Sequence, residues 1–201
     1  MTISDRQQRY KECMQRKKKN IDKSIKHAVK ERGLVLTLTG NGKGKSSSAF
    51  GMVARALGHG MKVGVGQFIK GRTDTGEENF FSSHQNVLWK VLGEGFTWET
   101  QNLSRDAETA QNSWEEVKEM LMDPTFDLVV LDELTYPINY RWLELENIIL
   151  DLQNRPYTQH VVITGRNASM ELCEFSDTVT EMGDIKHAFR VGVKAQKGID
   201  W

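Results

Sequence analysis

Cysteine, proline and long apolar runs are scarce or missing in this sequence of 201 residues, which holds two cysteines and three prolines. No stretch approaches the roughly 20 consecutive apolar residues that a membrane-spanning helix needs. The first thirty residues are polar and basic and lack the apolar centre of a secretory signal, so we expect a cytoplasmic protein. The two cysteines, Cys13 and Cys173, and the five histidines show no metal-ligand spacing.

The net charge of zero conceals an uneven distribution. Residues 1–32 contain 11 Lys and Arg against 4 Asp and Glu, which leaves 16 basic and 23 acidic residues in the remainder. Such a basic segment can be a solvated helix, or it can contact nucleic acid, a membrane or an acidic surface. Ile21, Ile25 and Val29 recur at helical spacing and predict an amphipathic helix. Apart from Tyr10, no aromatic residue lies among the cations, so we expect neither a nucleic-acid nor a membrane partner.

After Gly33, apolar and β-branched runs alternate with helical patterns. Strands are predicted at 34–39, 63–68, 87–92, 126–131 and 160–164, with a weaker sixth at 179–182. Helices are predicted at 45–57, at about 104–122 and at 143–152. Because several of these strands are continuously apolar, the pattern predicts an α/β fold, with a mainly parallel sheet and helices on both faces. We therefore predict one P-loop α/β catalytic domain over residues 33–201, preceded by a basic helical arm over residues 1–32.

The strongest motif is a glycine-rich stretch between the first predicted strand and the helix that follows it. It comprises Gly40, Asn41, Gly42, Lys43, Gly44, Lys45 and Ser46. Glycine lets backbone N–H groups crowd around phosphates, and the helix N-terminus favours anions. In such a loop Lys45 contacts phosphate oxygens and the Ser46 hydroxyl binds Mg²⁺. Thr39 stands where the usual pattern has its first glycine, so the loop is a variant, and we predict that all seven residues bind ATP.

Two carboxylates, Asp132 and Glu133, follow the apolar run 126–131. Ligands of open α/β sheets bind at the carboxyl ends of the strands, and an aspartate there typically holds the magnesium of a P-loop site. Glu133 could orient a water molecule or serve the metal shell. The predicted cofactor is therefore Mg²⁺, for which Mn²⁺ could substitute. Arg55 and Arg166 are further candidates for ATP binding, because guanidinium groups suit phosphates.

Further segments resemble the P-loop ATP:corrinoid adenosyltransferases, and the likeness runs from about Gly33 to the C-terminus. These segments are Thr39–Lys45, Val65–Gly71, Gly95–Trp98, Thr100–Asn102, Leu131–Tyr136, Ile163–Arg166, Lys186–Phe189 and Gly192–Gln196. Generic P-loop proteins share only the motifs at Thr39–Lys45 and Leu131–Tyr136. Two departures are Ser46, where threonine is common in that family, and Arg190-Val191, where Asp-Ala is expected.

The resemblance implies a RecA-like fold and transfer of the 5′-deoxyadenosyl group of ATP to Co(I) of a corrinoid, with triphosphate as leaving group. The corrinoid would be cobalamin, cobinamide or cobyrinic acid diamide, in adenosylcobalamin biosynthesis or salvage. It also implies a homodimer in which one subunit's arm covers the other's active site, and an electron-donating flavoprotein. Lys45 and Glu133 would be catalytic. Phe96 and Trp98 would displace the lower axial ligand of cobalt, with ordinary core packing as the alternative.

Two other functions remain open on the sequence alone. One is a P-loop ATPase or kinase in which Glu133 activates water or positions an acceptor. The other is a nucleic-acid-binding ATPase that uses the basic arm. The products separate the enzymes, because the transferase releases triphosphate whereas the others release ADP or AMP. Salt-sensitive retention on DNA or RNA would favour the nucleic-acid function.

Overall fold

The computed structural model describes residues 3–69, 75–93 and 103–201. The chain divides into two compact units, Met1–Arg32 and Gly33–Trp201. In the first unit, helix α1 spans Ile3–His27 and none of its side chains is buried. Within the ranges that the structure describes, no helix is both long and apolar enough to cross a membrane.

The second unit is built on a six-stranded parallel sheet with the strand order β3-β2-β4-β5-β1-β6. The strands are β1 Val35–Thr39, β2 Val63–Gln67, β3 Val87–Val91, β4 Leu128–Asp132, β5 His160–Thr164 and β6 Thr178–Glu181. The helices after α1 in the described part of the chain are α2 Lys45–Gly58, α3 Gly76–Phe81, α4 Leu103–Met122, α5 Thr135–Asn139, α6 Leu145–Asn154 and α7 Met170–Phe175. A 3₁₀ turn spans Ala188–Val191. The predicted α/β fold with a parallel sheet is confirmed.

Strand β4 shows why the sheet is covered on both faces. Its successive side chains point to opposite faces. Leu128 and Val130 join the cluster that α2 and α3 complete, whereas Val129 and Leu131 join the cluster that α4 and α6 complete. All four side chains are at most 4% exposed. The strand is therefore apolar throughout, as buried parallel strands are.

Glycine at position 66 of β2 lets α4 pack closely on the sheet. A Cβ atom there would lie 2.7 Å from the Val117 side chain. Because the strands are parallel, the carboxyl ends of β2, β4, β5 and β1 lie side by side along one edge. The register pairs Gln67 with Asp132 and Leu38 with Thr164. This edge collects the polar residues of the candidate site.

Candidate active site

The glycine-rich loop connects β1 to α2 and packs against the chain that follows β6. Gly40 and Gly44 have φ values of 96° and 111°, which favour glycine. The Gly42 N–H donates to the Met182 carbonyl over 2.7 Å. A Cβ atom at Gly42 would lie 2.6 Å from the Gly183 carbonyl oxygen. The loop therefore requires glycine both for its turn and for its close approach to a neighbouring backbone.

Lys45 opens α2 and points into the loop. Lys45 is only 7% exposed, and its Nζ donates to the Gly42 carbonyl over 2.8 Å. Burial lowers the pKa of the Lys45 ammonium, while the carboxylates of Glu133 and Asp132 act in the opposite direction. Ser46, the next residue, is half-buried at the first turn of the same helix. A cation held inside a glycine loop at a helix N-terminus suits a polyphosphate.

Lys43 has different surroundings from Lys45, although both were predicted from one motif. Its side chain is 49% exposed, and its Nζ lies 2.5 Å from Oδ1 of Asp200 near the C-terminus. The Asp200 carboxylate also accepts the Gln196 N–H over 2.7 Å. Lys43 is thus oriented toward the C-terminal segment.

Thr39, which stands where the usual pattern has its first glycine, joins two parts of the site. The residue is 8% exposed, and its hydroxyl accepts the Ala168 N–H over 3.1 Å. This bond connects the segment after β5 to the end of β1. Arg166 lies in that segment, so the threonine helps to place a predicted phosphate ligand beside the loop.

Asp132 ends β4 and is 5% exposed. Its Oδ1 accepts the Thr164 hydroxyl over 2.7 Å, and its Oδ2 accepts the Gln67 side-chain amide over 3.0 Å. The Thr164 hydroxyl in turn accepts the Glu133 backbone N–H over 2.9 Å. The carboxylate therefore has a fixed orientation, set by the strands on either side of it.

Glu133 is the most unusual residue at the site. Its φ of 60° lies in the left-handed region that non-glycine residues seldom adopt. Its Oε2 is buried and has no hydrogen-bond partner among the residues that the structure describes. Burial and, second, the neighbouring Asp132 raise the pKa of Glu133 to about 7, with Lys45 and Arg166 opposing the rise. Such strain and unpaired polarity at the end of a strand are typical of functional sites.

A cavity of about 620 Å³ opens beside the loop. The residues that line it include Asn41, Arg166, Glu181, Met182, Asp184 and Phe189. Polar groups, a guanidinium and an aromatic ring thus surround a space large enough for a nucleotide or part of a larger substrate. Phe189 is 73% exposed, which leaves its ring accessible to a ligand.

The structure brings most of the predicted site residues together, and the exceptions among those it describes are Lys43, which is paired with Asp200, and Arg55. Lys45, Glu133 and Arg166 lie close enough to influence one another's charge. Arg55 is exposed in the last turn of α2, ten residues and about 15 Å along the helix axis from Lys45. Its position gives the predicted ATP contact no support. Phe96 and Trp98 lie outside the described residues.

Two residues at the site were not assigned a role from the sequence, namely Gln67 and Thr164. Each is the last residue of a mostly apolar, buried strand and each is at most 1% exposed. A polar side chain that ends a buried parallel strand faces the ligand edge of the sheet. That signal identifies Thr164 at the end of the predicted strand 160–164, whereas Gln67 lies inside the predicted strand 63–68 and is the last residue only of the observed strand.

Comparison with known proteins finds relatives that align with this chain over nearly the whole of both sequences. A family model described as "ATP:corrinoid adenosyltransferase BtuR/CobO/CobP" matches residues 31–201. The corrinoid adenosyltransferase of Pseudomonas aeruginosa is 54% identical over 198 residues, which cover 98% of each chain. Those of Escherichia coli K12 and Salmonella typhimurium are 47% and 48% identical over 194 residues, or 96% of this chain. The E. coli alignment covers 98% of that relative.

Proposed function

The chain belongs to the ATP:corrinoid adenosyltransferase family, and on that basis we propose how its residues transfer the 5′-deoxyadenosyl group of ATP to Co(I) of a corrinoid. It is a transferase of cobalamin biosynthesis or salvage, with ATP as co-substrate. The observation that supports the site assignment is the buried Lys45 inside the glycine loop, close to Glu133 and Arg166. Together these groups form a charged site for polyphosphate at the carboxyl edge of the sheet.

The reaction needs little acid–base chemistry from the protein. Co(I) supplies the electron pair of the new cobalt–carbon bond, so the cobalt becomes formally Co(III). The C5′–oxygen bond of ATP breaks, and its electron pair leaves with triphosphate. The protein must align cobalt with C5′ and stabilise the negative charge on the leaving group. We assign the second task to Lys45, Arg166 and the N–H groups of residues 40–46 other than that of Gly42, which is bonded to Met182.

The residues at the site also fit Mg²⁺, for which Mn²⁺ could substitute. Ser46, Asp132 and Glu133 offer oxygen ligands, and the buried Oε2 of Glu133 lacks a partner among the described residues. Within the described ranges, no group of three His, Cys, Asp or Glu residues could hold a metal. Magnesium typically combines one or two carboxylates with substrate phosphates, which suits this arrangement. When bound, it would neutralise charge on the triphosphate.

We also propose a homodimeric assembly and a flavoprotein electron donor. Helix α1 exposes Ile21 and Ile25 by 57% and 64%, so its apolar face offers a surface for a partner. A neighbouring subunit's active site is the partner that we propose for this arm. Light scattering of the full chain measures whether the dimer exists.

We place the enzyme in the cytoplasm, where ATP is available and where Cys13 and Cys173 would stay reduced as free thiols.

The function is tested by incubating the protein with ATP, Mg²⁺ and chemically reduced cobalamin. We expect the absorption of the cobalt–carbon chromophore to appear together with one triphosphate per adenosylated corrinoid. Omission of cobalamin is the control, and it should leave ATP intact. Release of ADP or AMP without the chromophore would instead support an ATPase or kinase.

Phe96 and Trp98 give a prediction that depends on the source of electrons. If these aromatic residues displace the lower ligand of cobalt, their role ends once Co(I) exists. The double alanine variant should then fail when a protein reductase must reduce bound Co(II), and recover much of its rate with chemically prepared Co(I). If they only pack in the core, each replacement should cost about 3–5 kcal/mol of stability and harm both assays equally. Parallel rate measurements at matched folding distinguish these outcomes.

A further inference from the structure

A row of hydrogen bonds crosses the sheet at its carboxyl edge and ends on Asp132. The Trp89 indole on β3 donates to Oε1 of Gln67 on β2 over 3.0 Å. The Gln67 amide donates to Oδ2 of Asp132 on β4 over 3.0 Å. From the other side, the Thr164 hydroxyl on β5 donates to Oδ1 over 2.7 Å. Four neighbouring strands thus contribute to the position of one carboxylate.

The chemistry of the outer groups fixes the direction of every bond in this row. An indole N–H can only donate, so the oxygen of the Gln67 amide must face Trp89 and its NH₂ must face Asp132. A backbone N–H also can only donate, so the Thr164 hydroxyl accepts from Glu133 and turns its hydrogen toward Asp132. Both Asp132 oxygens consequently accept a bond, as a carboxylate anion does. Neither flip of the amide nor rotation of the hydroxyl preserves these contacts.

Packing holds the indole that sets this direction. The Trp89 ring lies 5.2 Å from the Phe50 ring and 6.4 Å from the Phe81 ring, at interplanar angles of 34° and 10°. Gln67 is itself only 1% exposed and pairs with Asp132 in the strand register. Rotation of any member would break at least one of these hydrogen bonds, which costs free energy. The row therefore stiffens the carboxylate.

We propose that Gln67 and Trp89 are positioning residues that orient Asp132 toward the magnesium of bound MgATP. The inference rests on the proposed place of Asp132 in the metal shell. Hydrogen-bonded partners of a metal ligand fix its orientation, and their loss typically lowers metal affinity or activity by about 10- to 100-fold. Gln67 acts directly on the carboxylate, whereas Trp89 acts by fixing the amide of Gln67.

The test measures how much Mg²⁺ strengthens the binding of ATP to the protein. No corrinoid is present in this measurement. Calorimetry gives the Kd of ATP with Mg²⁺ and with EDTA, and the ratio of the two values measures the coupling. We expect Gln67→Leu to reduce this ratio about tenfold while the Kd in EDTA stays unchanged. Trp89→Phe, which keeps a ring against Phe50 and Phe81, should reduce it less, in the same direction.

Trp114→Phe is the matched control, because it removes the same atoms from a second indole that also donates a hydrogen bond to a side-chain oxygen but lies outside this row. Trp114 is 5% exposed, and its indole N–H donates to Oδ2 of Asp151 over 2.9 Å. We expect this variant to retain the wild-type ratio. Thermal unfolding of every variant shows whether it is folded. If Gln67→Leu does not fold, Trp89→Phe decides alone, and a wild-type ratio in that variant would overturn the inference.

Asp132→Asn separates the inference from the function on which it rests. If Asp132→Asn lowers the ratio but folded Gln67→Leu does not, the positioning role is wrong and the metal assignment stands. If Asp132→Asn keeps the wild-type ratio, the metal assignment fails and the inference fails with it. An equal loss of ATP affinity in Mg²⁺ and in EDTA would show that Gln67 serves only the fold.

Discussion

Replacement of Lys45 by alanine is expected to lower the rate constant of adenosyl transfer at saturating ATP by about 100- to 1000-fold. This range is typical when one preorganised donor that stabilises developing charge is removed from a water-excluded site. The ammonium lies inside the glycine loop, 2.8 Å from the Gly42 carbonyl, so a bound triphosphate would meet it directly. The fold should persist, because the Lys45 side chain belongs to neither of the two apolar clusters.

Lys43→Ala is the control for loss of positive charge in the same loop. Lys43 is half-exposed and paired with Asp200. An exposed ion pair of this kind contributes about 1 kcal/mol or less to stability. We therefore expect at most about a fivefold change in rate. The comparison needs single-turnover kinetics with chemically reduced cobalamin and thermal unfolding of both variants. A normal rate constant for Lys45→Ala, or equal losses in the two variants, would refute the role assigned to Lys45.

The fold was predictable because its signals are local and repeated. Apolar, β-branched runs such as Val161–Ile163 identify strands that are buried on both faces, and parallel pairing follows from the helices between them. Boundaries were less predictable. The run 126–131 begins with Phe126, which the structure places in a turn where its N–H bonds the Asp123 carbonyl. The strand begins at Leu128 and continues to Asp132.

The chemistry of the site was only partly predictable, because much of it depends on contacts across the sheet. The glycine loop and the Asp132-Glu133 pair carry their own motifs. The bond from Gln67 to Asp132, by contrast, joins residues 65 positions apart, and no local pattern encodes it. The raised pKa of Glu133 likewise comes from burial, which only the folded chain supplies.

The buried carboxyl group of Glu133 lowers the free energy of unfolding when it is ionised, and this is the second large effect that we expect. Burial and Asp132 raise the pKa of this group from an ordinary 4.5 to about 7. The folded state therefore binds its proton more tightly than the unfolded state does. It follows that stability declines as the pH rises from about 4.5 to about 7, and the full cost is present above that window. One pKa unit corresponds to about 1.4 kcal/mol, so the cost is about 3 kcal/mol.

Glu133→Gln removes this cost, because the amide is neutral at every pH. In metal-free protein, we expect the variant to gain up to about 3 kcal/mol of unfolding free energy over the wild type at pH 8, and almost nothing at pH 4.5. The same variant should transfer the adenosyl group poorly, because a neutral amide cannot replace the carboxylate in the proposed magnesium shell. A gain in stability with a loss of activity is the pattern expected where a strained, buried charge serves function.

Denaturant unfolding of the wild type and Glu133→Gln between pH 4.5 and 8, with EDTA present, measures the predicted difference. Glu174→Gln makes the same chemical change at an exposed position of α7 and should follow the wild type throughout. Adding Mg²⁺ and ATP should reverse the order at pH 8, since ligands that bind only the folded state stabilise it and the wild type would bind them better. If the unfolding free energies of the wild type and Glu133→Gln differ by the same amount at every pH in this range, Glu133 does not have the raised pKa. If the variant keeps full activity, the Glu133 carboxylate of the wild type has no part in the metal shell.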